Sequence, residues 1–565
     1  MIKQISGSQM ISEALHEEGV EIVFGYPGGA ALNIYDETYK QTYFKHVLVR
    51  HEQAAVHAAD GYARVSGKVG VAFVTSGPGF TNAVTGLATA YSDSIPVVLI
   101  SGQVPTFMIG TDAFQEIDAV GISRPCVKHN FLVNSVEELP RIIKEAFYIA
   151  RSGRPGPVHI DIPKNVTSRL GDFVYPKEIS IPSYKPTYKG NSKQIKKAAA
   201  AINEAKRPLL YIGGGAVASN ASEIIRKFMK KTGIPAVETL MALGVLDVKD
   251  ELNLGMAGMH GSYASNMALS ECDLLISLGA RFCDRVTGKT DEFAKHAKII
   301  HIDIDPSSIS KIINAHYPIV GDLTNVLSEL YEEVKGEPKN YAPWREILDR
   351  YQKLNPLGYT DSDKVLKPQW VVEETAKIVG PEAIIATDVG QHQMWVAQFY
   401  PFNRARQLVT SGGLGTMGYG LPAAIGAKCA MPEHLVVNFT GDGSILMNIQ
   451  ELMTAYETNV PVINIILNNN FLGMVRQWQT FFYEKRYSST DLSLQPDFVK
   501  IAEGFGGVGF VCKSKDEFKK ALKEAIKSKK SALIDVRIDR FEDVLPMVPA
   551  GAAIYNMILK SKEEK

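Results

Sequence analysis

Short apolar runs alternate with longer stretches of mixed polarity along most of the chain. The runs are rich in Val, Ile and Leu, and examples are VGVAFVTSG, PVVLISG, PLLYIGGG, DLLISLGA, KIIHIDID, LVVNFTGDG and PVINIILNN. Such runs predict buried strands, and the amphipathic stretches between them predict helices. Strands that alternate with helices indicate an α/β protein built on parallel sheets.

Two segments interrupt this alternation and predict linkers. Residues 171–192 combine Pro, Tyr and Lys with little amphipathic period, and residues 335–368 are charged and rich in Pro. They separate predicted domains at residues 1–175, 190–335 and 365–540. The apolar, Pro-interrupted stretch VLPMVPAGAAIYNMI predicts a C-terminal arm over residues 541–565.

An internal repeat relates the first and third predicted domains. The segment SGPGFTNAVTGLATAYSDSIPVVLI, from Ser76, aligns without a gap over GDGSILMNIQELMTAYETNVPVINI, from Gly441. Both copies contain Thr-Ala-Tyr in the helix and Pro-Val before the second strand. The repeat predicts one fold used twice, and the alternative is chance similarity between two ordinary α/β units.

Composition excludes several kinds of protein. Of 565 residues, 61 are Lys or Arg and 61 are Asp or Glu, so bulk charge indicates neither a nucleic-acid nor a membrane partner. No apolar run is long enough to span a membrane. The five cysteines form no CxxC pair, which argues against a disulfide framework or a zinc site. The N-terminus resembles neither a signal nor a transit peptide, so we expect a cytoplasmic protein.

The stretch GDGSILMNIQELMTAYETNVPVINIILNNN combines a Gly-Asp-Gly turn with three asparagines one helix and one strand later. The turn predicts the start of a helix near Ser444, whose free N–H groups suit a phosphate. Asp442 would repel a bare phosphate, so Mg²⁺ is the natural mediator, and Asn469 can supply an amide oxygen. The structural alternative is that Asp442 caps a helix and the asparagines form a turn.

The spacing from Gly441 to Asn469 resembles the signature of thiamine-diphosphate enzymes, and the likeness covers essentially the whole chain. It implies three doubly wound parallel-sheet α/β domains: pyrimidine-binding, central and pyrophosphate-binding. It implies Mg²⁺ on Asp442, Asn469 and a carbonyl at Phe471. In LVRHEQAAVHAADGYAR it implies that Glu52 hydrogen-bonds the pyrimidine and activates the cofactor. The alternative for Glu52 is a favourable helix-dipole contact.

The same resemblance assigns further residues to thiamine diphosphate and makes Met417 the apolar wedge that holds its bent form. The alternative for Met417 is that it simply fills a core gap, as methionines more often do. These residues are Tyr26, Gly29, Pro78, Asn82, Gln115, Val389, Gly390, Gln391, His392, Gly415, Met417, Gly441, Gly443, Ser444, Gly473 and Met474.

Four longer stretches are similar to the acetohydroxyacid synthase catalytic subunits: GTDAFQE, GMHG, GARFCDRVTGK and NNNFLGMVRQW. The implied reaction decarboxylates pyruvate on thiamine diphosphate and condenses the hydroxyethyl carbanion with a second 2-keto acid. Pyruvate would give 2-acetolactate and 2-ketobutyrate would give 2-aceto-2-hydroxybutyrate, in branched-chain amino acid biosynthesis.

The resemblance also implies a substrate pocket. Arg285 would bind the acceptor carboxylate, and Trp478 would favour the bulkier 2-ketobutyrate. The other pocket residues are Phe114, Gln115, Lys164, Met259 and Val475. The alternatives are a core aromatic for Trp478 and a solvated strand-end lysine for Lys164.

In the central domain, Gly213-Gly214-Gly215 after a strand is weak evidence for a nucleotide on its own. The resemblance makes it a site for a structural FAD. Its residues are Gly213, Gly214, Gly215, Thr239, Leu240, Met241, His260, Gly279, Arg281, Arg285, Asp303, Ile304 and Asp322. The chain departs from the family at Cys283, where an Asp is usual; the alternative is that Cys283 is a small buried hydrophobe.

Other functions stay open on the residues alone. A non-oxidative 2-keto-acid decarboxylase would use an adjacent His pair, and no such pair occurs. A flavin-dependent pyruvate oxidase shares the layout, and a non-catalytic scaffold is disfavoured by intact Glu52, Asp442 and Asn469. The resemblance implies a homodimer or homotetramer in which Glu52 serves the partner's cofactor. It also implies a small regulatory subunit, and we predict that the arm folds over the active site when cofactor binds.

Overall fold

Three six-stranded parallel sheets organise the computed structural model, which describes residues 3–335 and 341–561. Residues 336–340 of the second predicted linker and residues 562–565 of the predicted arm lie outside the described residues, as do residues 1 and 2. The expected α/β class with three parallel-sheet domains is confirmed.

The first domain starts with a strand that pairs antiparallel with its last strand. Its strands are β1 (Lys3–Ser6), β2 (Ile22–Gly25), β3 (Lys45–Leu48), β4 (Gly70–Val74), β5 (Val97–Gln103), β6 (His129–Leu132), β7 (Val158–Pro163) and β8 (Leu170–Phe173). Its helices are α1 (Gly7–Glu17), α2 (Leu32–Lys40), α3 (Glu52–Ser66), α4 (Pro78–Asp93), α5 (Ala119–Ser123), α6 (Leu139–Arg151) and α7 (Lys164–Ser168).

The central domain places helices on both faces of its sheet. Its strands are β9 (Pro208–Ile212), β10 (Ala236–Glu238), β11 (Asn253–Met256), β12 (Leu274–Leu278), β13 (Lys298–Asp303) and β14 (Tyr317–Val320). Its helices are α8 (Ser192–Glu204), α9 (Gly214–Ala218), α10 (Ser222–Thr232), α11 (Tyr263–Glu271), α12 (Asp284–Thr287), α13 (Leu323–Glu333) and α14 (Ala342–Leu354).

The third domain has the same kind of layering. Its strands are β15 (Ile384–Thr387), β16 (Leu408–Val409), β17 (Val436–Thr440), β18 (Ile463–Asn468), β19 (Val508–Cys512) and β20 (Ala532–Arg537). Its helices are α15 (Pro368–Val379), α16 (Gln391–Phe399), α17 (Gly420–Ala430), α18 (Glu451–Glu457), α19 (Gly473–Phe482), α20 (Phe498–Gly504) and α21 (Lys515–Ser528).

Strand order shows that the first and third sheets are the same fold. The first runs β3-β2-β4-β5-β7-β6 and the third runs β16-β15-β17-β18-β20-β19, so equivalent strands occupy equivalent places. This confirms the repeat seen in the sequence. The central sheet runs β11-β10-β9-β12-β13-β14, the strand order of dinucleotide-binding domains.

Two local predictions differ from the structure. Residues 342–354 form helix α14 rather than irregular linker, because Trp344, Leu348 and Tyr351 recur at helical spacing and bury one face against the central core. The continuous helix predicted to begin near Ser444 is wrong: a 3₁₀ turn at Ile445–Met447 precedes α18, which starts only at Glu451.

The first and third domains meet along helices α3 and α17. Two glycines permit the approach: a Cβ on Gly426 would overlap the Ala58 carbonyl, and a Cβ on Gly61 would overlap the Ala423 carbonyl. Arg406 ties all three domains together, because its guanidinium donates to the carbonyls of Arg64 and Val217. Main-chain contact therefore fixes how the two repeated domains sit against each other.

Gly426→Ala is expected to destabilise the protein by about 1–3 kcal/mol, since one methyl group must force two packed helices apart. Thermal unfolding followed by circular dichroism measures the effect. Gly504→Ala, at the end of α20, is the matched control, because its Cβ would meet nothing within 4 Å. An equal loss of stability in both variants would show that the close approach of α3 and α17 does not cause the destabilisation of Gly426→Ala.

Candidate active site

Two polar side chains lie at neighbouring strand ends in the third domain. Asp442 follows β17 and Asn469 follows β18, and these two strands pair in parallel. Both side chains are buried. The Asn469 amide nitrogen donates to the Gln391 side-chain oxygen at 3.0 Å, and the Asn469 amide oxygen accepts the Phe471 N–H at 3.1 Å.

An open cleft of about 420 Å³ lies over this sheet edge. Most third-domain residues predicted for the cofactor line it, and Gly415 is the exception. The lining is Val389, Gly390, Gln391, His392, Trp395, Met417, Gly441, Asp442, Gly443, Ser444, Leu467, Asn469, Phe471, Leu472, Gly473, Met474 and Val475. The residues that the sequence prediction missed, Trp395, Leu467 and Leu472, are apolar and carry no motif of their own.

The electrostatics of the cleft suit a cation. Burial raises the pKa of Asp442 to about 7, and its carboxylate accepts a hydrogen bond from Gln495, a partner that the sequence did not indicate. A bound divalent ion would offset that desolvation and hold the carboxylate ionised. In the described part of the chain, no cluster of three or more His, Cys, Asp or Glu is suited to bind a metal. The possible ligands in the cleft are therefore one carboxylate and neutral oxygens, a set that Mg²⁺ can use.

The walls of the cleft suit a diphosphate. The ring nitrogen Nε2 of His392 is buried without a partner, and burial lowers the pKa of this histidine to about 3, so the ring is neutral. Side chains at the glycines would intrude: a Cβ on Gly441 would lie 3.0 Å from the His392 ring, and one on Gly473 would overlap Gln391. A narrow wall with one unpaired polar nitrogen fits a bound oxyanion.

Asp388 fastens two parts of the cleft together, and the sequence analysis did not single it out. Its Oδ1 accepts the N–H groups of Val389, at 3.0 Å, and Gly418, at 2.8 Å. It therefore joins the turn after β15 to the loop that carries Met417. Burial raises the pKa of Asp388 to about 6.

The first domain presents its own predicted residues at the carboxyl edge of its sheet. Glu52 begins α3 after β3 and accepts a hydrogen bond from the Asn82 amide at 3.0 Å. Gln115 packs against the turn at Gly77, which has φ +57° and brings Pro78 beside it. Tyr26 follows β2, Gly29 lies just beyond it, and Lys164 follows β7.

One chain does not bring these two sets of residues together. Every residue that lines the cleft lies between positions 389 and 475, and none comes from the first domain. Phe114, predicted for the substrate pocket, has 87 % of its surface exposed. Within the described chain, Glu52 is therefore not part of the wall of the cleft that contains Asp442.

In the central domain, two glycine-rich turns touch at the carboxyl edge. Gly215 donates its N–H to the Gly279 carbonyl at 3.0 Å, and a Cβ on Gly213 would overlap Ala280. His260 is buried with Nδ1 unpartnered, and burial lowers its pKa to about 4. Burial raises the pKa of Asp303, at the end of β13, to about 6. Thr239, Leu240, Met241, Ile304 and Asp322 also follow strand ends of this sheet.

Two residues expected around an acceptor, Met259 and Arg285, lie where the central domain meets the segment after β20. The Met259 N–H donates to the Arg285 carbonyl at 2.7 Å, and the Met259 carbonyl accepts from Val548. Met474 and Trp478 share one face of α19, and Trp478 is only partly buried. Cys283 is exposed rather than buried, as are Arg281 and Arg285, so the alternative of a small core residue is wrong.

Residues 542–544 run along one side of the cleft. The Glu542 carbonyl accepts a hydrogen bond from the Gln391 side chain at 3.0 Å. The Gln477 side-chain amide donates to the Val544 carbonyl and accepts the Val544 N–H. Beyond them, Lys289 donates its N–H to the Ala552 carbonyl. The segment after β20 therefore connects α19 to the central domain.

No helix among residues 3–335 and 341–561 has the length and apolarity needed to cross a bilayer.

The chain matches three family models along its length. They are the thiamine pyrophosphate enzyme N-terminal TPP binding domain at residues 5–122, the central domain at 195–330 and the C-terminal TPP binding domain at 388–536.

Full-length relatives are similar in all three domains. The chain is 48 % identical to the acetolactate synthase large subunit of Haemophilus influenzae, over all of both chains. It is 46 % identical to the acetolactate synthase isozyme 3 large subunit of Escherichia coli, again over all of both. It is 49 % identical to the probable acetolactate synthase large subunit of Methanocaldococcus jannaschii, over 98 % of this chain and 95 % of the relative. The chain therefore belongs to the acetolactate synthase large subunit family of thiamine pyrophosphate enzymes.

Proposed function

We propose that the chain is the catalytic subunit of an acetohydroxyacid synthase, which decarboxylates pyruvate and joins the two-carbon unit to a second 2-keto acid. The observation that carries the proposal is the buried pair Asp442 and Asn469 at neighbouring strand ends, in a chain similar over its full length to acetolactate synthases. Asp442, Asn469 and the Phe471 carbonyl would hold Mg²⁺, which would in turn bind a diphosphate.

When bound, thiamine diphosphate supplies the electron sink that loss of CO₂ from a 2-keto acid requires. The chain contributes the surroundings. The glycine turns and Ser444 would hold the diphosphate end, and Met417 would support the rings from below. Glu52 would hold a proton at the pyrimidine, and Asn82 keeps its carboxylate oriented for that task.

The separation of the two half-sites supports a homodimer as the smallest active unit. The cleft is lined by the third domain, whereas Glu52 projects from the first. In a two-fold dimer, the first domain of one protomer would close the cleft of its partner. A tetramer would repeat the same interface, and the large-subunit names of the relatives support a smaller regulatory partner.

FAD is proposed as a structural group of the central domain. The dinucleotide-type strand order, the touching turns at Gly213–Gly215 and Gly279, and the unpartnered His260 nitrogen support it. The overall condensation involves no net redox change, so the flavin would stabilise the domain rather than transfer electrons. Five free cysteines agree with a reducing compartment, which supports the proposed cytoplasmic location.

The acceptor 2-keto acid would bind between Arg285 and Trp478. The exposed guanidinium of Arg285 can bind a carboxylate with two parallel hydrogen bonds. The partly buried face of Trp478 offers an apolar surface for the alkyl group. Phe114, Gln115 and Lys164 would complete this pocket from the partner's first domain.

Trp478→Leu is expected to reduce the preference for 2-ketobutyrate over pyruvate by roughly 10-fold or more, since one methylene in such a pocket contributes about 1–3 kcal/mol of discrimination. Competition between the two acceptors, with both products quantified, measures the ratio. Phe482→Leu is the control, because its ring centroid lies 5.7 Å from that of Trp478 on the same helix, but Phe482 is not among the residues proposed for the acceptor pocket. An unchanged ratio in Trp478→Leu would remove this residue from the acceptor pocket.

The reaction itself is tested by supplying pyruvate, Mg²⁺, thiamine diphosphate and FAD under anaerobic conditions and identifying the product. Acetolactate without flavin reduction is the expected result. Acetaldehyde would indicate a simple decarboxylase, and acetyl phosphate or acetate with reduced flavin would indicate an oxidase. No product at all, with or without a regulatory subunit, would favour a non-catalytic scaffold.

A further inference from the structure

The Thr-Ala-Tyr repeat marks two helices that contact opposite domains in a reciprocal way. One copy, Thr89-Ala90-Tyr91, lies on α4 of the first domain, and the other, Thr454-Ala455-Tyr456, lies on α18 of the third. Each helix reaches across the α3–α17 interface to the segment that carries a predicted cofactor residue of the other domain. The proposed function gives a role to Asn82 near the start of α4, but none to the Thr-Ala-Tyr part of either helix.

Helix α18 holds the turn that presents Glu52. The Arg50 N–H donates to both carboxylate oxygens of Glu451, at 3.1 and 3.2 Å, and the Thr454 hydroxyl donates to the same carboxylate at 2.6 Å. The Arg50 guanidinium donates to Glu457 at 2.6 Å. Arg50 is two residues before Glu52, so the third domain restrains the backbone immediately before this side chain.

Helix α4 holds the loop that presents Met417. The carboxylate of Asp93 accepts the N–H groups of Gly412 and Gly413, at 3.0 and 2.7 Å. The hydroxyl groups of Thr89 and Thr416 are 2.7 Å apart. The first domain thus restrains both ends of a loop whose middle residue, Gly415, has φ +73°.

Both carboxylates are buried and accept hydrogen bonds from the other domain. Glu451 is 1 % exposed, and burial raises its pKa to about 7. Asp93 has a fully buried side chain and is paired with Arg64 at 2.7 Å. Each carboxylate accepts backbone N–H groups from the other domain. Such hydrogen bonds restrain the main chain of the other domain and do not pair with a side-chain charge there.

We infer that Glu451 and Asp93 are positioning residues, each of which sets a cofactor-facing residue of the opposite domain: Glu451 sets Glu52, and Asp93 sets Met417. The inference rests on the proposed function for the roles of Glu52 and Met417. Its structural part, the restraint of two backbone segments from opposite domains, stands without that function.

Hydrogen exchange measured by mass spectrometry on the full chain, without cofactor, tests the restraint directly. Glu451→Ala is expected to speed exchange at least 5-fold in the peptide over residues 48–54 and to leave residues 411–418 unchanged. Asp93→Ala is expected to do the reverse. Glu451→Gln, which retains one of the two acceptor oxygens, should exchange at residues 48–54 at a rate between those of the wild type and Glu451→Ala.

Cofactor titrations on the same proteins separate positioning from folding. Glu451→Ala should lower kcat at least 10-fold with the thiamine diphosphate KM changed less than 3-fold, since Glu52 acts on the bound cofactor. Asp93→Ala should raise the thiamine diphosphate Kd at least 5-fold. Glu18→Ala is the control: Glu18 is a buried carboxylate bound to Lys144 and Arg151, remote from both segments, and it should change neither quantity.

The inference is overturned if either alanine variant alters both peptides equally, or if Glu18→Ala reproduces the pattern. If an alanine variant does not fold, Glu451→Gln and Asp93→Asn carry the same comparison with smaller expected changes. If the wild type makes a product other than acetolactate, the proposed function fails, while the exchange pattern and the Kd still decide the restraint.

Discussion

Glu52→Gln is expected to lower kcat for acetolactate formation by roughly 10²–10⁴-fold, the range typical of loss of a general acid–base group. The amide keeps the size of the side chain and can still accept a hydrogen bond from Asn82, which now holds the carboxylate at 3.0 Å. It cannot hold or release a proton. The measurement is product formation at saturating pyruvate, Mg²⁺ and thiamine diphosphate.

Glu223→Gln provides the comparison for this variant. Glu223 also lies in the first turn of a helix, α10, but it is exposed and paired with Lys227 in the central domain. Its replacement should leave kcat within 2-fold. If Glu52→Gln retained more than a tenth of the wild-type kcat, a group other than Glu52 would have to transfer the proton on the cofactor.

Asp442→Asn is expected to raise the thiamine diphosphate Kd roughly 100-fold or more at fixed Mg²⁺, which corresponds to about 2.7 kcal/mol of binding free energy. The cleft offers one carboxylate to a divalent ion, and the amide removes that charge while keeping the shape. Trp395 lines the same cleft, so quenching of intrinsic fluorescence can follow binding.

Asp497→Asn is the control for the metal site. Asp497 caps α20 in the same domain with its side chain in solvent, so its replacement should leave the Kd unchanged. Excess Mg²⁺ should partly restore binding to Asp442→Asn. If the Asp442→Asn variant bound thiamine diphosphate with the wild-type Kd and without extra Mg²⁺, the cation would have to be held by other ligands.

The repeated α/β units could be predicted because their buried strands are short and apolar and are separated by amphipathic helices. Gly441 to Asn469 was informative for a related reason: polar residues at strand ends stand out against the apolar strands before them. The helix at residues 342–354 escaped prediction because charged residues surround Trp344, Leu348 and Tyr351 and dilute its apolar face. The helix expected at Ser444 failed because local turn geometry overrode the general strand–turn–helix pattern.

Other parts of the candidate site depend on contacts between distant segments. Gln495 reaches Asp442 across 53 residues, and Asp388 joins its own turn to Gly418. No spacing in the sequence encodes such pairs, since each depends on the packing of separate strands and loops.

The reciprocal contacts of α4 and α18 also bear on the history of the chain. Two sheets with the same strand order, each extending an equivalent helix onto the other, have the form of an isologous interface, in which the same patch serves both partners. Fusion of two copies of an ancestral symmetric dimer would leave this arrangement inside a single polypeptide. Later divergence would then have given one copy the carboxylate at position 52 and the other the carboxylate at position 442, the two residues that we propose act on opposite ends of one cofactor.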